Sequence, residues 1–350
     1  MTLRLGIVAD YSDDFREIAE EVVEAERVGV DVVAAAEAYS FDAVSRLGYL
    51  AAVTERITLA SGIMPLFSRT PTMIAMTAAG LDDVSGGRFE LGLGSSGPQV
   101  IEGFHGVPFH RPLARLRETV DVCRMLWRRE PVVSESRDHP IPLPADRGTG
   151  LGKPLKLINH PRRERIPIAI AALTPKAVAQ AAEIAESWIP LFYFPGRAHL
   201  AWGDALDAGF ERRDPSLSEL DVQAQAPLLI ADDTDQALEV YRDRVALYVG
   251  GMGAKGANFY NDLAVRYGFE DAAARIQELY LAGEKKAAAE AVPEELLVGT
   301  SLIGSETHVR ERLQALVDSG VTTLTAQPLA PTRGARIQQL EGLRGLIDAL

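Results

Sequence analysis

The chain has 350 residues, a length that suits one large α/β barrel or two ordinary domains. Its 49 acidic and 36 basic residues give a net charge of −13, which repels nucleic-acid phosphates and anionic membrane surfaces, so neither is expected as a partner. The single cysteine, Cys123, excludes an internal disulfide.

The N-terminal residues MTLRLGIVAD read as a strand and show no apolar core followed by a small-residue cleavage site. The longest weakly polar run, Ile57 to Phe67, is about half as long as a membrane-spanning helix must be, and it contains Gly62 and Pro65. We therefore expect a soluble, cytoplasmic protein without a membrane partner.

Strand-like and amphipathic helical runs alternate along the whole chain. The predicted strands are Leu3–Ala9, Val32–Glu37, Ile57–Ile63, Phe89–Gly94, Ile166–Ala172, Trp188–Phe192, Val222–Ile230 and Thr322–Ala326. The predicted helices are Asp14–Val28, Phe41–Val53, Pro71–Val84, Pro112–Trp127, Pro175–Ala185, Asp233–Val249 and Glu306–Ser319. This alternation predicts parallel strands in a closed (β/α)8 TIM barrel of the α/β class. A Rossmann fold is disfavoured because no G-x-G-x-x-G loop follows the first strand.

Two segments interrupt this alternation within what we expect to be a single domain, residues 1–350. Residues 131–165 are rich in proline and become basic towards their end, which predicts an inserted loop after the fourth strand. Residues 250–293 begin with GGMGAKGANFYND and continue rich in alanine, which predicts a helical insertion before the last strand. Each segment is either a cover for the barrel mouth or a plain surface excursion.

A barrel of this kind carries its functional groups at the C-terminal ends of its strands. After the strand Phe89–Gly94, the small residues Ser95, Ser96 and Gly97 leave backbone N–H groups uncovered, so that a planar cofactor or a phosphate can approach closely. A tight turn that needs glycine dihedrals is the alternative reading. The strand ends show no His, Cys and carboxylate cluster with metal-ligand spacing, so no metal site is predicted.

Two side chains near strand ends are candidate catalytic residues. Glu37 follows the second predicted strand, where a carboxylate can bind a polar cofactor edge or accept a proton. His105 is a candidate proton donor or ligand-orienting group, with a surface histidine as the alternative. Thr174-Pro175-Lys176 opens a helix and is either a phosphate seat or an ordinary exposed first turn.

Five segments in one order along most of the chain carry a family resemblance. They are EAYSFDAVS (37–45), AAVTERITLASGIMPLFSRTP (51–71), LDDVSGGRFELGLGSSGPQVIEGFHG (81–106), IPIAIAALTPKAVAQAAEIAESWIP (166–190) and YVGGMGAKGANFYNDLAVRYGFEDAA (248–273). With them the chain resembles the bacterial-luciferase-like flavin and deazaflavin oxidoreductases. It is most similar to the branch related to methylenetetrahydromethanopterin reductase, which uses coenzyme F(420).

The resemblance implies a bacterial-luciferase-like barrel with the isoalloxazine-like ring of coenzyme F(420) across its C-terminal mouth. It implies a non-prolyl cis peptide at Gly62–Ile63 behind the ring, small residues along the pyrimidine edge, an acidic cofactor contact, and a turn near the coenzyme tail. The cofactor-binding residues implied in this way are Glu37, Gly62, Ile63, Pro65, Ser95, Ser96, Gly97, Gln99, Leu173, Thr174, Lys176 and Ala177.

The chain departs from the sugar-phosphate and alcohol dehydrogenases of this family. Ala38 stands where they carry an acid histidine, and Pro98–Gln99 stand near the position of their strand-four glutamate. These differences leave the substrate and the proton-transfer scheme of this chain open. The resemblance implies hydride transfer between coenzyme F(420) and a small organic substrate, with Phe192, Tyr193 and Phe259 as candidate apolar walls.

Two other functions stay open from the sequence. One is a monooxygenase that uses reduced FMN on the same barrel, and the other is a barrel that binds a flavin without catalysis. Relatives are commonly dimers, and the apolar stripes of Pro71–Val84 and Pro112–Trp127 can serve a homodimer interface or simply cover the barrel.

Overall fold

The computed structural model describes residues 3–9, 11 and 14–350. Its strands are β1 (Arg4–Ala9), β2 (Val32–Ala35), β3 (Thr58–Ser61), β4 (Met64–Pro65), β5 (Phe89–Gly94), β6 (Ile168–Ala171), β7 (Ser187–Ile189), β8 (Asp221–Ile230), β9 (Leu302–Gly304) and β10 (Thr323–Pro328). Its helices are α1 (Phe15–Arg27), α2 (Ala43–Val53), α3 (Pro71–Val84), α4 (Pro98–Gly103), α5 (Pro112–Trp127), α6 (Pro175–Ile184), α7 (Ala198–Phe210), α8 (Asp235–Ala246), α9 (Phe259–Arg266), α10 (Glu270–Leu281), α11 (Lys285–Glu290), α12 (Glu294–Gly299), α13 (Glu306–Asp318) and α14 (Arg333–Asp348).

Parallel strands close into a barrel in the order β10, β1, β2, β3, β5, β6, β7 and β8, and β8 pairs with β10 to complete the ring. Among the described residues, the short strand β9 pairs only with the end of β8, outside this ring. The predicted (β/α)8 TIM barrel is therefore confirmed. Such a barrel places the carboxyl ends of all its strands around one mouth.

The helices begin where the sequence offers a cap. Asp42 accepts a hydrogen bond from Ser45 N (2.8 Å) at the start of α2, and Thr70 accepts one from Met73 N (3.2 Å) at the start of α3. α3 and α5 pack against each other, and Trp127 Nε1 of α5 donates to an α3 carbonyl. The apolar stripes of both helices therefore help to cover the barrel, and the homodimer stays a prediction.

The strand predicted over Ile57–Ile63 is divided in the structure. β3 ends at Ser61, the peptide bond between Gly62 and Ile63 is cis, and the chain re-enters the sheet as β4 beside β5. The strand predicted over Trp188–Phe192 is shorter than expected, because β7 ends at Ile189 before Pro190, which has no N–H to donate. β9 is a strand that the sequence analysis missed.

The two inserted segments differ in structure. Residues 131–165 hold one isolated antiparallel bridge, Ser134 to Ile141, and one 3-10 turn, Ala145–Arg147. The chain between β8 and β9 holds α8 to α12 and a π-helical turn at Leu247–Gly251. In the described part of the chain, no helix combines the length and apolarity needed to cross a membrane.

A buried polar cluster fills the barrel interior at the N-terminal ends of the strands. Ser187 Oγ and Gln223 Nε2 both donate to Glu90 Oε1, at 3.0 and 2.6 Å. Asp221 lies in the same cluster, and its ion pair with Arg4 spans 3.5 Å. Burial, and next the nearby Asp221 carboxylate, raise the pKa of Glu90.

Because the folded state raises the pKa of Glu90, it holds this proton more tightly than the unfolded chain does. Glu90 therefore contributes stability below its ordinary pKa, and this contribution falls by up to about 1.4 kcal/mol per pH unit as the pH rises towards the folded value. In urea unfolding, we expect Glu90→Gln to flatten the loss of stability that the wild type shows as the pH rises above the ordinary pKa of a glutamate. Glu219→Gln, at an exposed site, is the control, and parallel curves for wild type and Glu90→Gln would contradict the expectation.

Candidate active site

A hollow opens at the C-terminal end of the barrel. Val8, Ala34 and Ala171 face the interior, since the residues that flank them pack outwards beneath the helices. All three are only partly buried, whereas Glu90 near the other end is buried. Solvent therefore enters the barrel from its C-terminal mouth, into a space lined by small side chains.

The cis bond at Gly62–Ile63 forms one wall of this hollow. Gly62 N donates to Ala35 O of β2 at 2.8 Å, which ties the bulge to the neighbouring strand. The Ile63 side chain lies against β5, where a Cβ on Gly94 would meet Ile63 Cδ1 at 2.9 Å. The glycines of FELGLG thus make room for the bulge, and Pro65 continues as part of β4.

The loop after β5 is the second wall. Ser95, Ser96 and Gly97 are partly exposed, and Ser96 adopts a left-handed conformation with φ of 60°. Within the described residues, the hydrogen bonds of this loop include none from the backbone N–H groups of Ser95, Ser96 or Gly97. Three donors are therefore available to a ligand. Gln99, the fourth expected contact of this loop, is exposed.

Glu37 is anchored by a partner that the sequence analysis missed. Arg69 forms a two-pronged ion pair with the Glu37 carboxylate, with Nη2 to Oε2 at 3.0 Å, and Glu37 Oε2 also accepts from Ala43 N at 2.9 Å. The Glu37 side chain is only 8% exposed. Both carboxylate oxygens are thus engaged in holding the start of α2 to the segment after β4.

His105 lies in the segment that follows α4. Its ring is partly buried and meets the Phe104 ring edge-on, with centroids 5.2 Å apart. Among the described residues, its buried Nε2 has no hydrogen-bond partner. A role in proton donation stays a prediction, and the unpartnered nitrogen is the feature that keeps it open.

The turn after β6 is the third wall and is joined to the helical insertion. Arg266 Nη2 of α9 and Trp202 Nε1 of α7 both donate to Leu173 O, each at 2.9 Å. Thr174 caps α6 without a side-chain hydrogen bond, Lys176 is exposed, and Ala177 is partly buried. Arg266 is thus a cation near this turn that no local sequence pattern indicates.

The three residues predicted as apolar walls of the substrate site, Phe192, Tyr193 and Phe259, differ in their surroundings. Phe192 follows β7 and packs against the rings of Tyr248 and Tyr260. Tyr193 instead stacks on Trp202 and donates its hydroxyl to a backbone carbonyl near the end of α13, so it belongs to the packing of the fold. Phe259 is 40% exposed. The sequence analysis missed Tyr248 and Tyr260, although both lie in the segment that carries the family resemblance.

Across residues 3–9, 11 and 14–350, no three or more His, Cys, Asp or Glu side chains are grouped so that they could hold a metal ion. The mouth offers instead a hollow of small residues, free backbone donors and a rim of aromatic rings. This arrangement suits a planar organic cofactor.

Comparison with known proteins agrees with this description. Residues 3–323 match the model of the luciferase-like monooxygenase family. The chain is 42% identical, over 92% of its length and 94% of the relative's, to a Mycobacterium tuberculosis protein named as a coenzyme F(420)-dependent oxidoreductase. It is 28% identical to the 5,10-methylenetetrahydromethanopterin reductase of Archaeoglobus fulgidus, over 84% of each chain.

A solved structure shows the same fold. The coenzyme F(420)-dependent tetrahydromethanopterin reductase of Methanopyrus kandleri matches with a TM-score of 0.80 at 24% identity, over 98% of each chain. The chain therefore belongs to the luciferase-like monooxygenase family, in its coenzyme F(420)-dependent oxidoreductase branch. The family resemblance predicted from the sequence is confirmed.

Proposed function

We propose that the protein transfers hydride between coenzyme F(420) and a small organic substrate at the mouth of the barrel. The observation that carries the proposal is the hollow of small residues beside the Gly62–Ile63 bulge. A planar ring requires such a place, where little side chain separates it from the backbone. The cofactor named for the relative at 42% identity supports the same cofactor here.

The residues present fit this cofactor. The free N–H groups of Ser95, Ser96 and Gly97 suit the carbonyl oxygens at the pyrimidine edge of a deazaflavin. Arg266 and the first turn of α6 bring positive potential to the turn at Leu173, which suits the anionic tail of the coenzyme. The Glu37–Arg69 pair would act here by fixing the rim of the site.

Coenzyme F(420) supplies the hydride chemistry when it is bound, and the protein supplies position and a water-poor site. The Gly62–Ile63 bulge would support one face of the ring, and the loop after β5 would hold its polar edge. The helical insertion between β8 and β9 is tied to the mouth through Arg266 and Leu173. It would therefore limit the access of water from that side.

Filling the hollow is expected to weaken cofactor binding strongly. Ala171 Cβ lies 3.6 Å from the position of a Cβ on Gly94, so the larger side chain of Ala171→Leu would extend into the hollow in front of Gly94. In fluorescence titrations we expect roughly micromolar affinity of the wild type for coenzyme F(420) and a loss of at least about 100-fold in Ala171→Leu. Lys156→Ala, exposed in the 131–165 insertion, is the matched control and should bind like the wild type.

The same titration with FMN separates the competing functions. Tight binding of coenzyme F(420) with weak binding of FMN supports hydride transfer. The opposite preference would refute the proposal in favour of a reduced-FMN monooxygenase. Equal affinity of Ala171→Leu and wild type for coenzyme F(420) would refute the placement of the ring in the hollow.

A further inference from the structure

Two tyrosine hydroxyls at the mouth differ from those of the buried tyrosines. In the part of the chain that the structure describes, the hydroxyls of Tyr248 and Tyr260 form no hydrogen bond, and both side chains are partly buried. Neither hydroxyl oxygen is among the fully buried unpartnered atoms, so both are within reach of solvent and of a ligand. The fully packed phenols of Tyr193, Tyr241 and Tyr267 instead find partners within the fold.

The Tyr248 and Tyr260 rings form one cluster with Phe192. The two tyrosine rings meet edge-on with centroids 4.8 Å apart, and the Phe192 ring lies 5.3 Å from Tyr248 and 6.1 Å from Tyr260. Phe192 follows the carboxyl end of β7, so the cluster belongs to the mouth of the barrel. Tyr248 lies in the π-helical turn Leu247–Gly251, an irregularity that is frequent at functional sites.

A buried asparagine fixes the two tyrosines relative to each other. Asn258 is 1% exposed, and its Nδ2 donates to Tyr248 O at 2.9 Å. Its Oδ1 accepts from Tyr260 N at 2.9 Å and so caps α9. One side chain therefore joins the π-helical turn to the start of α9. The motif GANFYN provides both the clamp and one of the tyrosines.

The chemistry of the cluster favours an uncharged ligand. Burial, and next the proximity of Tyr248, raise the pKa of Tyr260 to about 12, so this phenol is neutral and donates a hydrogen bond at physiological pH. Arg266, a cation of the same insertion, donates to Leu173 O at the turn after β6, where the anionic tail of the coenzyme is proposed to lie. Phenol hydroxyls beside the apolar Phe192 ring suit an oxygen with lone pairs on an apolar molecule.

We propose that Tyr248 and Tyr260 bind the carbonyl or hydroxyl oxygen of an uncharged substrate. The inference rests on the proposed function, because it takes this mouth as the place where hydride is exchanged. It deepens that function by assigning the substrate to ketones, aldehydes or alcohols. Tyr248 and Tyr260 are then the residues that determine specificity for the substrate oxygen.

The test uses the full chain labelled with fluorotyrosine, with and without coenzyme F(420). Fluorine NMR follows titrations with cyclohexanone, with cyclohexanol and with glucose 6-phosphate, and Tyr248→Phe and Tyr260→Phe assign the two resonances. We expect the ketone or the alcohol to shift these two resonances saturably. Each variant should lose about tenfold in affinity for that probe, the effect of one hydrogen bond, and keep its affinity for coenzyme F(420) within about twofold.

Tyr49→Phe, on the exposed edge of α2, is the matched control and should leave both affinities unchanged. Uncharged probes that leave both resonances in place, or a larger response to glucose 6-phosphate, would overturn the inference. A failure of the proposed function can be told apart from a failure of this inference. It would appear as an absence of coenzyme F(420) binding in the wild type, whereas the probe titration without coenzyme tests ligand binding at the two tyrosines by itself.

Discussion

Gly92→Ala is expected to destabilise the protein by about 3 kcal/mol, as in overpacked cores. A Cβ on Gly92 would lie 1.8 Å from the backbone oxygen of Ser61, a distance that no side-chain rotation relieves. Ser61 Oγ also bonds to both Gly92 N and Gly92 O at 2.9 Å, so the two strands cannot separate without losing these bonds. Urea unfolding measures the effect.

Gly80→Ala is the matched control for this substitution. Gly80 is exposed within α3, and no described atom beyond the surrounding helix backbone lies within 4 Å of the position of its Cβ. Alanine is a better helix former than glycine, so this variant should gain about 0.5–1 kcal/mol. A loss of stability in Gly92→Ala together with a gain in Gly80→Ala would show that the close approach of β3 and β5 requires a glycine at position 92. A Gly92→Ala protein as stable as wild type would show that the bulge relaxes freely.

The architecture is predictable from the sequence because it depends on local patterns. Alternating apolar strands and capped amphipathic helices are properties of short windows, and Phe89–Gly94 agrees residue for residue with β5. The errors fall where a distant contact decides the result. β9 has three residues and is defined only by pairing with the end of β8, and β3 is interrupted by the bulge that packs on β5.

The residues of the candidate site also divide into those that the local sequence indicates and those that depend on distant contacts. The loop Ser95–Gly97 and the Gly62–Ile63 bulge were indicated by small residues at strand ends and by the family resemblance. Arg69 and Arg266 were not, because each acts through a partner far away in the chain, and the tyrosine pair was not, because it is completed by the distant Phe192. Glu37 and Arg69, for instance, are 32 residues apart and meet only when the segments after β2 and β4 converge at the mouth.

Arg69→Met is expected to cost about 3 kcal/mol of stability, because it leaves the Glu37 carboxylate almost buried without its cation. One hydrogen bond, from Ala43 N, would remain to the carboxylate. The double variant Glu37→Gln/Arg69→Met removes both charges and should regain stability to within about 1 kcal/mol of wild type. Urea unfolding of the wild type, both single variants and the double variant completes the cycle.

The cycle also decides what Glu37 does. Glu37→Gln alone keeps an acceptor for the Ala43 N–H. If the carboxylate anchors the rim, the coupling energy between positions 37 and 69 should account for most of the stability that Arg69→Met loses. Stability and coenzyme F(420) affinity should then fall and recover together across the four proteins, since both depend on the rim that holds α2 to the segment after β4. A double variant that regains stability but loses all hydride transfer, with coenzyme binding intact, would instead assign the Glu37 carboxylate a direct part in the reaction.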